Sequence, residues 1–158
     1  MSQELDNLPK IPDNFKDYLK MQTNSFTEQI FNCTAPYNNE YQGKPTRLLF
    51  VCSAGLLRSP TGAHVGALRG YNTRSCGSHN DYALIPLSAN LIMWARHIIF
   101  VNRENHIRAM EVFSGTGYED DIRDKAIVLD IPDRYEAFSD PLVRIWNEWF
   151  DGWEATKN

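Results

Sequence analysis

The sequence predicts an α/β fold with three layers, α/β/α. A four-stranded parallel sheet carries helices on both faces, and a helical N-terminal extension precedes it. Three observations carry this reading. Residues 46–150 alternate short apolar runs with helix-like stretches in the order β-α-β-α-β-α-β-α. The apolar runs are continuous rather than alternating with polar residues, which marks strands covered on both faces. Hydrophobic residues make up 42% and aromatic residues 12% of the 158-residue chain, enough for a real core, so a wholly disordered chain is excluded.

The elements follow in order. Arg47 to Val51 (RLLFV) is a buried strand. A helix runs from Ser59 to about Leu68, with Pro60 in its first turn and Gly70 ending it. Tyr71 to Cys76 is a second, weaker strand. Pro86 to Trp94 is a helix, with Leu87, Leu91 and Trp94 near helical spacing, and His97 to Val101 (HIIFV) is the third strand. Glu104 to Phe113 is helical and is stopped by Gly115 and Gly117. Glu119-Asp120-Asp121 reads as a solvated turn, and Ala126 to Leu129 (AIVL) as the fourth strand. Pro141 to Trp153 closes the domain as an amphipathic helix, with Leu142, Ile145, Trp146 and Trp149 inward.

Residues 1–45 differ in texture. They are polar and rich in Asn, Gln and Thr. Asp13 can cap a short helix carrying Phe15, Tyr18 and Leu19. Ser25-Phe26-Thr27-Glu28 has capping-box spacing for a second, and Thr34 to Pro45 reads as a loop. The division is therefore a helix-and-loop extension over 1–45 and an α/β domain over 46–158.

Charge and composition exclude several classes. With 16 Lys+Arg against 20 Asp+Glu, the net charge of −4 argues against nucleic acid as a partner. No apolar stretch reaches the roughly 18 residues of a membrane span, and the start lacks a secretory pattern, so a cytoplasmic protein is expected. Three widely spaced cysteines suit neither a disulfide scaffold nor a zinc site built from thiols. Four histidines, at 64, 79, 97 and 106, show no metal spacing, so no metal is expected. His97 reads as structural, and Trp94 and Trp146 as core.

The chemistry concentrates where ligands bind in parallel sheets, beyond the carboxyl ends of the strands. The loop after the first strand is Cys52-Ser53-Ala54-Gly55-Leu56-Leu57-Arg58-Ser59-Pro60. A loop wrapping into a helix start points several backbone N–H groups at one spot, which favours an anion. Arg58 can close the ring with a bidentate fork onto two phosphate oxygens. Cys52 sees the same positive field, which favours the nucleophilic thiolate, and Ser59 can hydrogen-bond the sulfur. Gly55 supplies a backbone free to take positive φ.

The stretch LLFVCSAGLLRSPTGA resembles the phosphate loop of the low-molecular-weight protein tyrosine phosphatases, where a strand runs into C-x5-R-S. The resemblance covers about residues 46–150. It implies a nucleophilic Cys52, a phosphate-binding Arg58, and phosphate contacts along Ser53, Ala54, Gly55, Leu56, Leu57 and Ser59. It implies no metal and no organic cofactor. The loop also departs from the family pattern, which has Gly, Asn and often a second Cys where Ala54, Gly55 and Leu57 stand. The Asn that would brace the loop is missing, as is the Cys that would shield the nucleophile as a disulfide.

Ester cleavage by a thiolate needs an acid for the leaving oxygen, from a second loop at the same end of the sheet. After AIVL comes Asp130-Ile131-Pro132-Asp133-Arg134-Tyr135. Asp133 matches the family's acid and Tyr135 the place of an aromatic wall. Asp130 competes at the strand end, and Asp140 reads as a helix cap. The resulting expectation is a cysteine-dependent phosphomonoester hydrolase acting through a cysteinyl-phosphate on a phosphorylated protein or small aryl phosphate. With Leu56 in its loop, phosphotyrosine is favoured over phosphoarginine. Two other readings stand beside it: a non-catalytic phosphate-binding module, and a thiol-dependent arsenate reductase, for which the downstream cysteines are missing. The residues leave the oligomeric state open.

Overall fold

The computed structural model describes residues 45–157. The helices expected near Asp13 and Ser25, the loop from Thr34, and Cys33 lie outside the described residues. The observed elements are β1 (Arg47–Cys52), α1 (Arg58–Leu68), β2 (Asn72–Gly77), α2 (Ala89–Trp94), β3 (His97–Phe100), α3 (Arg103–Val112), α4 (Glu119–Lys125), β4 (Ala126–Val128) and α5 (Asp140–Ala155). The strands form one parallel sheet in the order β2-β1-β3-β4.

The alternation of side chains along a strand splits the core in two. Leu49 and Val51 of β1, with Ile98 and Phe100 of β3, pack against Ile92 and Trp94 of α2, Ala109 of α3 and Ile122 of α4. Leu48, Phe50 and Cys52, with Ile99 and Val101, point the other way, onto Val65 of α1 and Leu142, Trp146 and Phe150 of α5. All five strand residues from Leu48 to Cys52 are buried, which accounts for the continuous apolar run.

Helix α1 buries small and polar residues rather than a bulky stripe: Ser59, Thr61, Gly62, Val65 and Gly66 face inward. Gly62 and Gly66 are one turn apart and let α5 lie close. A Cβ on Gly62 would come within 2.7 Å of the Trp146 ring and 2.8 Å of Phe50. Trp146 meets Phe50 edge-on, with ring centroids 5.2 Å apart. Arg69 fixes the far end of this contact, donating to Asn147, Asp151 and Glu154 of α5.

Two elements differ from expectation. Glu119-Asp120-Asp121 do not form an isolated solvated turn but the first turn of the helix α4. Its one buried residue, Ile122, leaves no apolar periodicity to read. Its order comes from charge: three acids in the first turn, and Arg123 and Lys125 in the last, complement the helix dipole. Glu119 also accepts from the Gly115 and Gly117 amides, which holds its acid below the usual carboxylate range. Lys125 reaches back to the Ile92 carbonyl at the end of α2. The second difference is α2, which begins at Ala89 rather than Pro86. Pro86 is drawn into a parallel bridge with Gly77, and Ser88 caps the helix by accepting from Leu91 N–H.

Gly62→Ala is expected to destabilise the protein by about 1–3 kcal/mol, because the added methyl group overpacks a filled core. Urea unfolding of the variant checks this, and an unchanged midpoint would contradict the close packing of α1 on α5.

Candidate active site

Strand β1 ends at Cys52, beside Gly77 at the end of β2. The chain then turns through residues 53–57 into α1. Gly55 sits at φ +77°, and a Cβ there would meet the backbone carbon of Cys76 at 2.9 Å, so both conformation and space demand glycine. No side chain caps α1 at Leu57. The start of the helix therefore offers its unsatisfied N–H groups to an anion.

The loop converges on sulfur. Gly55 N–H donates to Cys52 Sγ at 3.2 Å, and Ser59 Oγ lies 3.1 Å from it. Cys52, Ser53, Ala54, Leu56, Leu57 and Arg58 line a cleft of about 270 Å³ together with Asp133 and Tyr82. Gly55 and Ser59 stand behind this lining, in contact with the sulfur. Cys76, the neighbouring thiol, belongs to the opposite face of the sheet, and burial pushes its ionisation up.

Arg58 is 3% exposed. Its Nη1 donates to the Ile131 carbonyl at 2.9 Å, its Nε lies 3.7 Å from Asp133 Oδ1, and its own carbonyl accepts from Trp146 Nε1 at 3.1 Å. The Nε makes no hydrogen bond. Asp133 is 64% exposed at the mouth. The segment carrying it is pinned on both sides: Ile131 N–H donates to Val101 O, and Phe138 N–H donates to Thr61 Oγ1, which in turn donates to Leu57 O. Phe138 pays for this connection with a left-handed backbone, φ 61°.

The structure does not bring Tyr135 to the cleft. Its ring packs on the α5 side of the core, under the Arg134 guanidinium. The aromatic residue at the cleft is Tyr82, from the loop after β2. His79 of that loop lies against Tyr82, with ring centroids 5.2 Å apart. Sequence reading missed Tyr82 because nothing in SHNDYALIP reveals which residue turns toward the neighbouring loop.

The stretch 102–105 follows the third strand at the same end of the sheet, and the sequence assigned no role to its Asn105. It is fully buried, and its Nδ2 donates to Ser53 Oγ at 3.0 Å and to Ser78 Oγ at 3.1 Å. Ser78 N–H and His79 N–H in turn hold the Cys52 and Ser53 carbonyls. The loop lacks an asparagine of its own where Gly55 stands, and α3 supplies one from outside. Asn102 caps α3, accepting from Asn105 N–H. The bracing by Asn105 depends on tertiary contacts.

Among the described residues, no group of three or more His, Cys, Asp or Glu side chains could hold a metal ion, and no helix is long and apolar enough to cross a membrane.

Two outcomes are expected. Iodoacetamide should alkylate Cys52 in the folded protein, vanadate should slow that reaction, and Cys76 should stay unmodified. Peptide mapping that finds Cys76 labelled as fast as Cys52 would contradict the burial. Asn105→Ala should weaken vanadate binding about fivefold, since Ser53 of the loop loses a hydrogen bond worth about 1 kcal/mol. Calorimetric titration of the folded variant checks this, and an unchanged Kd would remove Asn105 as a brace.

No protein-family model and no curated protein matches the sequence at a significant level. Solved structures do match the fold. The YwlE arginine phosphatase from Geobacillus stearothermophilus superposes with a TM-score of 0.55 at 18% identity, over 72% of this chain and 96% of its own. Wzb from Vibrio vulnificus, in complex with benzylphosphonate, gives 0.53 at 17% identity, over 72% and 99%. The tyrosine phosphatase Wzb from Escherichia coli K30, in complex with phosphate, gives 0.51 at 15% identity, over 69% and 99%. The described domain thus has the three-layer fold of the low-molecular-weight phosphatases.

Proposed function

We propose that this domain hydrolyses phosphate monoesters through a cysteinyl-phosphate, with an aryl phosphate such as phosphotyrosine as substrate. One observation carries the reading: a thiol, a buried guanidinium and a carboxylate line one small cleft at an uncapped helix start. Binding a phosphate needs the amides and the arginine, but it does not need a sulfur at the floor of the cleft.

The steps follow from the positions. The phosphate sits on the loop amides, and Arg58, fixed by Ile131 O, forks onto two of its oxygens. The Cys52 thiolate attacks phosphorus in line with the ester oxygen, forming an S–P bond as the P–O bond breaks. Asp133 in its acid form gives its proton to the leaving oxygen. Water then attacks phosphorus. Asp133, now carboxylate, takes the water's proton, and the S–P bond breaks to release phosphate and thiolate. Ser59 Oγ stabilises the sulfur as it leaves. The amides and Arg58 supply the electrostatics that a metal would supply elsewhere.

The walls speak for the leaving group. Leu56, Leu57 and Tyr82 give an aryl ring apolar contact. A phosphoarginine would bring guanidinium N–H donors against these side chains, with Asp133 as their one carboxylate partner in the lining. The fold comparison does not choose between the two, since arginine and tyrosine phosphatases superpose about equally well.

Wild type is expected to hydrolyse p-nitrophenyl phosphate. Cys52→Ser should show no turnover, and Asp133→Asn should lower kcat about a hundredfold. A folded wild type that binds vanadate without turnover would replace this reading with a phosphate-binding module. Faster turnover of phosphoarginine than of phosphotyrosine would reverse the substrate assignment.

A further inference from the structure

Nine large hydrophobic side chains are exposed among the described residues, and five of them, Leu56, Leu57, Tyr82, Leu84 and Ile85, belong to the two loops beside the cleft. The first three line it. The other two follow Tyr82 closely in the same segment. The segment 79–87 folds back onto Gly77: Ala83 N–H donates to His79 O, Gly77 N–H to Ile85 O and Leu87 N–H to Gly77 O. Ala83, the Ser53 carbonyl and Ala54 all close around Gly77, so the segment that carries Leu84 and Ile85, 77% and 57% exposed, passes beside the turn after β1.

We propose that this rim selects phosphorylated polypeptides whose residues beside the phosphorylated side chain are aliphatic or aromatic, a specificity that rests on the phosphatase reading above. Continuity with the cleft identifies the occupant. A polypeptide held by its phosphate at Cys52 leaves the mouth across a wall made of Leu56, Leu57 and Tyr82, and its next residues meet Leu84 and Ile85. Charge points the same way. Arg58 and Asp133 are the charged residues of the lining, and both are engaged by the phosphate chemistry. Asp81, the acid of the rim segment, faces Arg108 at 3.6 Å. The rim segment itself carries no lysine or arginine to attract acidic flanks or an anionic lipid surface. Apolar side chains this exposed on two neighbouring loops mark a contact surface.

The test compares phosphotyrosyl peptides that differ only in their flanks: Leu and Ile, Ser, or Asp and Glu. Aliphatic flanks should raise kcat/KM about tenfold over serine, the effect of burying one to two apolar side chains partway. In the double variant Leu84→Ser with Ile85→Ser the preference should shrink to within about twofold, with p-nitrophenyl phosphate kinetics unchanged. Both positions are exposed, so the variant should fold. Peptide binding to Cys52→Ser, read by fluorescence anisotropy, should give the same order of Kd values without turnover. Flank preference in binding with an inert wild type would sink the hydrolase reading and keep the rim. Turnover of p-nitrophenyl phosphate with equal or better use of acidic flanks would overturn the rim and keep the hydrolase. Co-sedimentation of wild type with phosphatidylcholine vesicles that the double variant loses would reassign the surface to a membrane and overturn the proposal.

Discussion

A loop that turns its N–H groups toward a single point gives up hydrogen bonds with itself, so it must be held from outside. That constraint organises the carboxyl end of this sheet. The Cys52 and Ser53 carbonyls are held by amides of Ser78 and His79, the Ser53 hydroxyl by Asn105, the Leu57 carbonyl by Thr61, and the Arg58 carbonyl by Trp146. The braces come from the segment after β2, from α3, from α1 and from α5, so the loop's shape is a product of the whole fold.

The buried guanidinium adds a second demand. Removing a cation from water costs several kcal/mol unless its donors find partners. Arg58 meets this partly, through Ile131 O and the nearby Asp133, and leaves Nε without a hydrogen bond. A group so placed gains from any dianion entering the cleft, because the ligand completes what the protein leaves open. Lysine would be a poor substitute. A point ammonium cannot hold Ile131 O and still present a planar fork to two oxygens.

The two central strands, β1 and β3, were legible because their apolar runs are continuous and buried on both faces, while β2 (NTRSCG) and the half-buried β4 at the sheet edges carry a weaker signal. The meeting of Cys52, Gly55, Arg58 and Ser59 at one turn was legible because all four fall within eight consecutive residues. What escaped notice is non-local or charge-driven. Helix α4 has one buried residue and a dipole pattern in place of a stripe. Tyr82 and Asn105 reach the site only because β2 and β3 flank β1 in the sheet, so that the loop after β2 and the start of α3 meet the turn after β1. Tyr135 sits two residues from Asp133, yet it turns inward and packs on the core instead of facing the cleft. In an extended segment, sequence proximity does not fix which side a ring takes.

The placement of the carboxylate shows how the domain divides rigidity from access. Asp133 itself is exposed, as a residue must be if it serves both a leaving group and a water. Its neighbours are not free to move: Ile131 is tied to Val101 and Arg58, and Phe138 is tied through Thr61 to Leu57. Phe138 takes a left-handed backbone that costs a residue with a side chain about 1–2 kcal/mol. Strain of that size persists where surrounding bonds over-determine a segment, and here those bonds join the carboxylate's segment to the phosphate loop. Thr61 is the hinge of this arrangement, one hydroxyl that accepts from one loop and donates to the other. The segment that carries the carboxylate is therefore tied to the first turn of α1 at both ends, through Arg58 to Ile131 and through Thr61 to Phe138.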